Sequence, residues 1–132
     1  MTVNKERVRL LVDALRSGRY QQCRLSLREQ IAGIGIMTTP KYGYCCLGVA
    51  TQIAVDHGVI QGSDTYIWGH TGLPTAVREW YGFDDGNPAF PGQSTVDGHT
   101  LTAIYANDHA RLDFQLIAGL FEDTYLREEV PA

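Results

Sequence analysis

The sequence predicts a single α+β domain, mostly helical, with a central buried helix and a small sheet or ribbon packed against it. The stretch Lys41–Gly58, KYGYCCLGVATQIAVDHG, is nearly free of charge, apolar on most sides and closed by a glycine, as a helix inside a fold would be. Other segments carry apolar residues at helical spacing and need a surface to bury them against. Between the first of these and the central helix, Cys23, Leu25 and Leu27 alternate with polar residues, as in a half-buried strand. A chain of 132 residues suits one domain over 1–132, with a core at about 4–122 and an acidic tail, 123–132, that frays.

The first helix is expected to begin at Asn4, whose side chain can accept from the first-turn N–H groups. Val8, Leu11, Val12 and Leu15 form its stripe and Gly18 ends it. Arg19–Arg28 stays open between strand and helix, because its Leu, Arg, Glu and Gln residues also favour helices. Gly33 and Gly35 break that segment, and Thr39 before Pro40 is pushed to extended backbone. In the central helix, opened by Tyr44 or Cys45, the spacing puts Cys46, Ala50, Ile53, Ala54 and His57 on one face. In TYIWGH, Tyr66 and Trp68 alternate with Ile67 and suggest a short strand, with Trp68 and His70 as the exposed pair. Pro74 suits the first turn of the next helix, whose stripe is Leu73, Val77, Trp80 and Tyr81 before Gly82. The segment from Phe83 to Gly98, rich in Gly, Asp and Pro, reads as a long polar loop. Leu101, Ile104 and Tyr105 predict a short helix capped by Thr100 or Asp97 and interrupted at Asn107-Asp108. Asp113 then caps a last helix carrying Phe114, Ile117, Leu120 and Phe121.

Composition narrows the function. The formal net charge is −4, and no Lys/Arg cluster of the kind that follows a phosphate backbone occurs, so nucleic acid is not an expected partner. No apolar run reaches the roughly 18 residues that a membrane span needs, so no membrane partner is expected. The three cysteines are odd in number and two adjoin, which suits a reducing compartment; the expected location is cytoplasmic.

Cys45 and Cys46 are the candidate nucleophiles. A thiol at a helix N-terminus feels the positive end of the helix dipole, and His70 or His99 would serve as base. The bland alternative makes both cysteines small apolar core residues. Cys45, Cys46, His57, His70, His99 and His109 are donors in principle, yet no C-x-x-C or H-x-x-x-H pair occurs, so neither metal nor other cofactor is expected. The aromatic residues suggest instead a ligand pocket. A base or ribose would lie against Tyr44 or Trp68 beside His70, with Arg24 or Lys41 near a phosphate. Asn107-Asp108 is either turn chemistry or a polar pair that faces a cavity and binds ligand.

A cysteine that opens an apolar helix closed by glycine resembles the NlpC/P60-type peptidases, which implies a cysteine-dependent hydrolase. The aspartate usual before that cysteine is absent, and His99 is expected to precede a helix rather than lie in a strand. YGYCCLGVA, LPTAVREWYG, LTAIYAND and DFQLIAGLFE together resemble a group of small uncharacterised phage and prophage proteins, over about Arg19–Glu122. That resemblance brings no catalytic residues. It implies a non-enzymatic accessory protein in the host cell's cytoplasm that binds a small nucleotide-like ligand or a host protein, in the manner of a counter-defence factor. A homo-oligomer is compatible with the aromatic content.

Overall fold

The computed structural model describes residues 2–33, 41–63 and 65–127; the expected features at Gly35 and Thr39-Pro40 lie outside these, as do the last five residues of the acidic tail. Helix α1 (Lys5–Arg16) begins at Asn4, whose Oδ1 accepts the Arg7 N–H at 3.1 Å, and buries Val8, Leu11, Val12 and Leu15. Strands β1 (Gln21–Gln22), β2 (Arg28–Ala32) and β3 (Lys41–Tyr44) form a sheet in the order β1-β3-β2. The middle strand, β3, runs parallel to β1 and antiparallel to β2. It leads directly into the central helix α2 (Cys46–Asp56), so the predicted α+β architecture holds.

Helix α2 buries Cys46, Leu47, Gly48, Val49, Ala50, Thr51, Ile53 and Ala54. Thr51 can be fully buried because its hydroxyl donates to the Leu47 carbonyl at 2.8 Å. His57, expected on the core face, instead caps the helix and is exposed, with its ring against Trp80. Gly48 marks the tightest approach in the core: a Cβ there would lie 1.7 Å from the Leu27 carbonyl oxygen. That same oxygen accepts the Cys45 N–H at 3.2 Å, while the Leu27 N–H donates to the His70 carbonyl at 2.7 Å. Leu27 thereby ties the start of α2 to the loop that follows α3 (Thr65–Trp68).

Helix α4 (Thr75–Tyr81) ends at Gly82, whose φ of 83° is left-handed and whose missing side chain leaves room for the Thr2 carbonyl. A second sheet pairs β4 (Ala89–Ser94) with β5 (Thr100–Thr102). Helices α5 (Ala103–Asp108) and α6 (Phe114–Phe121) follow, the latter capped by Asp113 as expected. The chain continues from α6 into a π-helical turn, Glu122–Leu126. Tyr81, Phe83, Phe90 and Phe121 fill the core as a chain of ring contacts.

Five local expectations are corrected. Arg19–Arg28 is neither one strand nor a helix: β1 ends after two residues, and bends carry the chain to β2. Cys23 and Leu27 are buried as the alternation requires, but Leu25 is 66% exposed with a left-handed φ of 72°. TYIWGH is a helical turn, not a strand, and Trp68 is buried because its indole N–H reaches the Gly62 carbonyl and Arg28 covers its ring. The Phe83–Gly98 loop contains β4, hidden from sequence by Pro91 and Gly92 and tolerated because its sheet has only two strands. Leu101 belongs to β5, and Thr102 rather than Thr100 or Asp97 caps α5. Asn107 and Asp108 complete α5 instead of interrupting it, and the turn falls at His109–Leu112, where Arg111 has φ 55°.

Candidate functional site

The cysteines occupy the start of α2. Cys45 is its N-cap, and its Sγ accepts the Gly48 N–H at 3.3 Å in the place where an oxygen usually does so. The Cys46 N–H is taken by Asn107 Oδ1 at 3.2 Å. These donors are therefore already satisfied within the protein. The helix end was expected to lower a thiol pKa, but burial does the opposite. Cys45 is pushed up to about 12 by desolvation, which outweighs the Gly48 hydrogen bond. Cys46 is also raised by burial, and Cys23 is pushed up to about 11. Neither proposed base meets a thiol among the described residues. The ring of His70 lies edge-on to Tyr66, and His99 closes the turn that begins at Thr95. No three His, Cys, Asp or Glu side chains converge as metal ligands among the described residues.

The expected ligand residues separate into three places. Arg24, Asn107 and Asp108 share one buried node. Asn107 Oδ1 accepts from Gln22 Nε2 (2.8 Å) as well as from Cys46 N, and its Nδ2 donates to the Cys23 carbonyl (2.9 Å) and Asp108 Oδ1 (2.8 Å). Asp108 Oδ1 also accepts the Leu25 N–H at 3.0 Å, and Arg24 Nε donates to the Asn107 carbonyl at 3.0 Å. The node uses Asn107 to its full hydrogen-bonding capacity and holds the 22–27 segment on α5.

Tyr44 and Trp68 form the second place, edge to face at 6.2 Å, and Tyr20 also meets Tyr44 edge to face, at 5.3 Å. Arg28 lies 4.3 Å over the Trp68 ring and 4.1 Å over Tyr42. The protein's own cation thus already occupies an indole face expected to stack a ligand.

His70 stands in the third place, a surface cleft of about 390 Å³ between α3 and α4. Tyr66, His70, Thr71, Pro74 and Thr75 line it. Tyr66 is 75% exposed, and its ring meets His70 at 4.7 Å between centroids. The cleft has a fixed frame: the His70 carbonyl holds Leu27, and the Leu73 N–H donates to the Gly86 carbonyl at 2.9 Å. Sequence reasoning named His70 but missed Tyr66 as its companion. Read as a helix, TYIWGH would have placed residues 66 and 70 on one face.

No curated protein and no solved structure matches the chain. A family model does match, over residues 3–125, from the start of the fold into the π-helical turn: the chain belongs to the family described as a domain of unknown function, DUF8296.

Proposed function

We propose that this chain is a non-enzymatic binding module that captures a small nucleotide-like ligand in the cleft between α3 and α4. The supporting observation is the exposed Tyr66–His70 ring pair on a cleft whose backbone is fixed at Leu27 and Gly86. A base stacks against the Tyr66 ring, and the hydroxyls of Thr71 and Thr75 with the His70 ring supply polar contacts. The cleft volume is within the range that takes a small ligand, about 300–1,000 Å³. The sequence resemblance to phage proteins gives this capture a setting: removal of a host nucleotide signal in the host cytoplasm, to counter defence. Capture of a host protein is the second reading, favoured by the exposure of Tyr66 and Leu25.

Thermal unfolding against mononucleotides, cyclic mononucleotides and cyclic dinucleotides tests the small-ligand reading. A true ligand at one hundred times its Kd stabilises by about 2.7 kcal/mol, which raises Tm by roughly 10 °C for a domain of this size. Tyr66→Ala and His70→Ala should each remove most of that shift. No stabilisation by any compound, or the same stabilisation in both variants, defeats this reading of the cleft.

A further inference from the structure

The Tyr66–His70 cleft offers a ligand almost no charge. Among the described residues that line it there is no Lys, Arg, Asp or Glu, and His70 is the one basic side chain. The neighbouring guanidinium groups are engaged elsewhere. Arg78, one turn into α4 from Pro74, donates to the Phe83 carbonyl at 3.2 Å and lies 3.7 Å from Glu79. Arg28 follows the Leu27 that holds the His70 carbonyl, and it covers the rings of Trp68 and Tyr42. The loop that frames the cleft is acidic: Asp84 and Asp85 stand directly before Gly86, whose carbonyl takes the Leu73 N–H. Helix α4 starts at Thr75, but a helix N-terminus carries only about half a positive charge, against roughly two negative charges on a phosphomonoester. A phosphate here would lose water without the guanidinium or ammonium groups that replace it.

The neutral contacts are better matched to a ligand. The rings of Tyr66 and His70 meet with their planes 68° apart, so they form a corner and not a stack. A flat heterocycle laid on one ring turns its edge to the other. Tyr66 is 75% exposed and His70 is exposed, so both rings are within reach from solvent. Thr71 and Thr75 are exposed at the same cleft, and each hydroxyl both donates and accepts, as the hydroxyls of a ribose do. Aromatic rings take any base by its flat face, and hydroxyls hold a sugar without charge.

Resting on the nucleotide-like reading of this cleft, we propose that it recognises the uncharged nucleoside portion of its ligand, with the base in the Tyr66–His70 corner and the ribose at Thr71 and Thr75, and leaves phosphate in solvent. The ligand is then a free nucleoside or the nucleoside end of a larger nucleotide.

Calorimetric titration with adenosine, guanosine, cytidine and uridine tests it, each beside its monophosphate and a cyclic dinucleotide of the same base. The best-bound nucleoside should match its monophosphate to within about threefold, or exceed it. Its affinity should be unchanged by added salt, because no ion pair is there to screen. Binding of the free nucleoside and of the cyclic dinucleotide alike assigns the site to the shared nucleoside; binding of the free nucleoside alone identifies the smaller ligand. Ribose 5-phosphate, which has the charge and lacks the base, should not bind. Tyr66→Leu lies at an exposed position and should fold with an unchanged Tm, yet lose nucleoside binding; Thr75→Val is the second variant and should weaken it. Binding confined to phosphate-bearing compounds, or a monophosphate more than about threefold tighter than its nucleoside, overturns this proposal while capture of a nucleotide stands. If no compound in the series binds, or Tyr66→Leu and Thr75→Val both bind as the native chain does, the reading of the cleft itself fails and this proposal with it.

Discussion

At the scale of single residues, Asn107 carries more of the fold than any other polar side chain described. It is 1% exposed, and its four hydrogen bonds join the β1 end, the loop before β2, the start of α2 and its own neighbour Asp108. Asn107→Ala leaves several of these groups buried without partners, each at a cost of about 1–3 kcal/mol. Chemical denaturation should show a loss of about 3 kcal/mol or more; a loss below 1 kcal/mol would mean that water replaces the amide. The thiols give a second residue-scale prediction. With Cys45 raised to about 12, its thiolate fraction at pH 7 is roughly one part in 10⁵, against a few per cent for a free cysteine. Iodoacetamide should therefore label native Cys45 and Cys46 at least a hundredfold more slowly than the unfolded chain. Rapid labelling of either would restore the hydrolase reading. The Asn107-Asp108 pair was visible in sequence as polar residues between apolar runs. Its role was not, because its partners Gln22, Cys23 and Cys46 are remote in the chain and only the fold unites them.

At the scale of elements, two helical glycines separate what propensity says from what packing decides. Alanine is favoured over glycine inside a helix by about 1 kcal/mol, so sequence alone predicts stabilisation by Gly→Ala in both α2 and α6. At Gly119 in α6 nothing lies within 4 Å of an added Cβ, and Gly119→Ala should stabilise by about 0.5–1 kcal/mol. At Gly48 the added Cβ would lie 1.7 Å from the Leu27 carbonyl oxygen, and the obstacle is backbone, which cannot rotate away. Gly48→Ala should therefore destabilise by about 3 kcal/mol, since overpacking outweighs propensity. Paired urea melts check both signs; stabilisation by both would mean that α2 slides on Leu27. The same contrast explains which elements were legible. Helices α1, α2, α4 and α6 follow from periodic apolar residues and their flanking Asn4, Gly82 and Asp113. Strand β4 has only Phe90 buried, and its pairing shifts register between Phe90 and Ser94, so no alternation survives to be read. Helix α3 is four residues long, too short for period 3.6 to stand out from period 2.

At the scale of the whole molecule, the Tyr66–His70 cleft is lined by one continuous run, 66–75, and was partly legible through His70, whereas a cleft between residues 84–91 and the π-helical turn joins segments that meet only after folding. Long-range ties also close the fold, and the Glu122 pairs with Arg9 and Arg16 join the π-helical turn to the first helix. Hydrogen bonds from Arg16 and then Arg9 lower the Glu122 carboxyl from 4.5 to about 2. A carboxyl pKa depressed by folding adds stability that is fully present above its unfolded value. That contribution is lost as pH falls from about 4.5 toward 2, as Glu122 protonates. The side chain is 35% exposed, so water and salt weaken the attraction and the contribution is modest. Glu122→Gln should lower Tm slightly at pH 6 in low salt, and the two proteins should converge as the pH approaches 2. Added salt should narrow the difference at pH 6, because it screens an exposed pair and leaves apolar packing in place. A difference that persisted at pH 2 would assign the effect to packing of the π-helical turn rather than to charge.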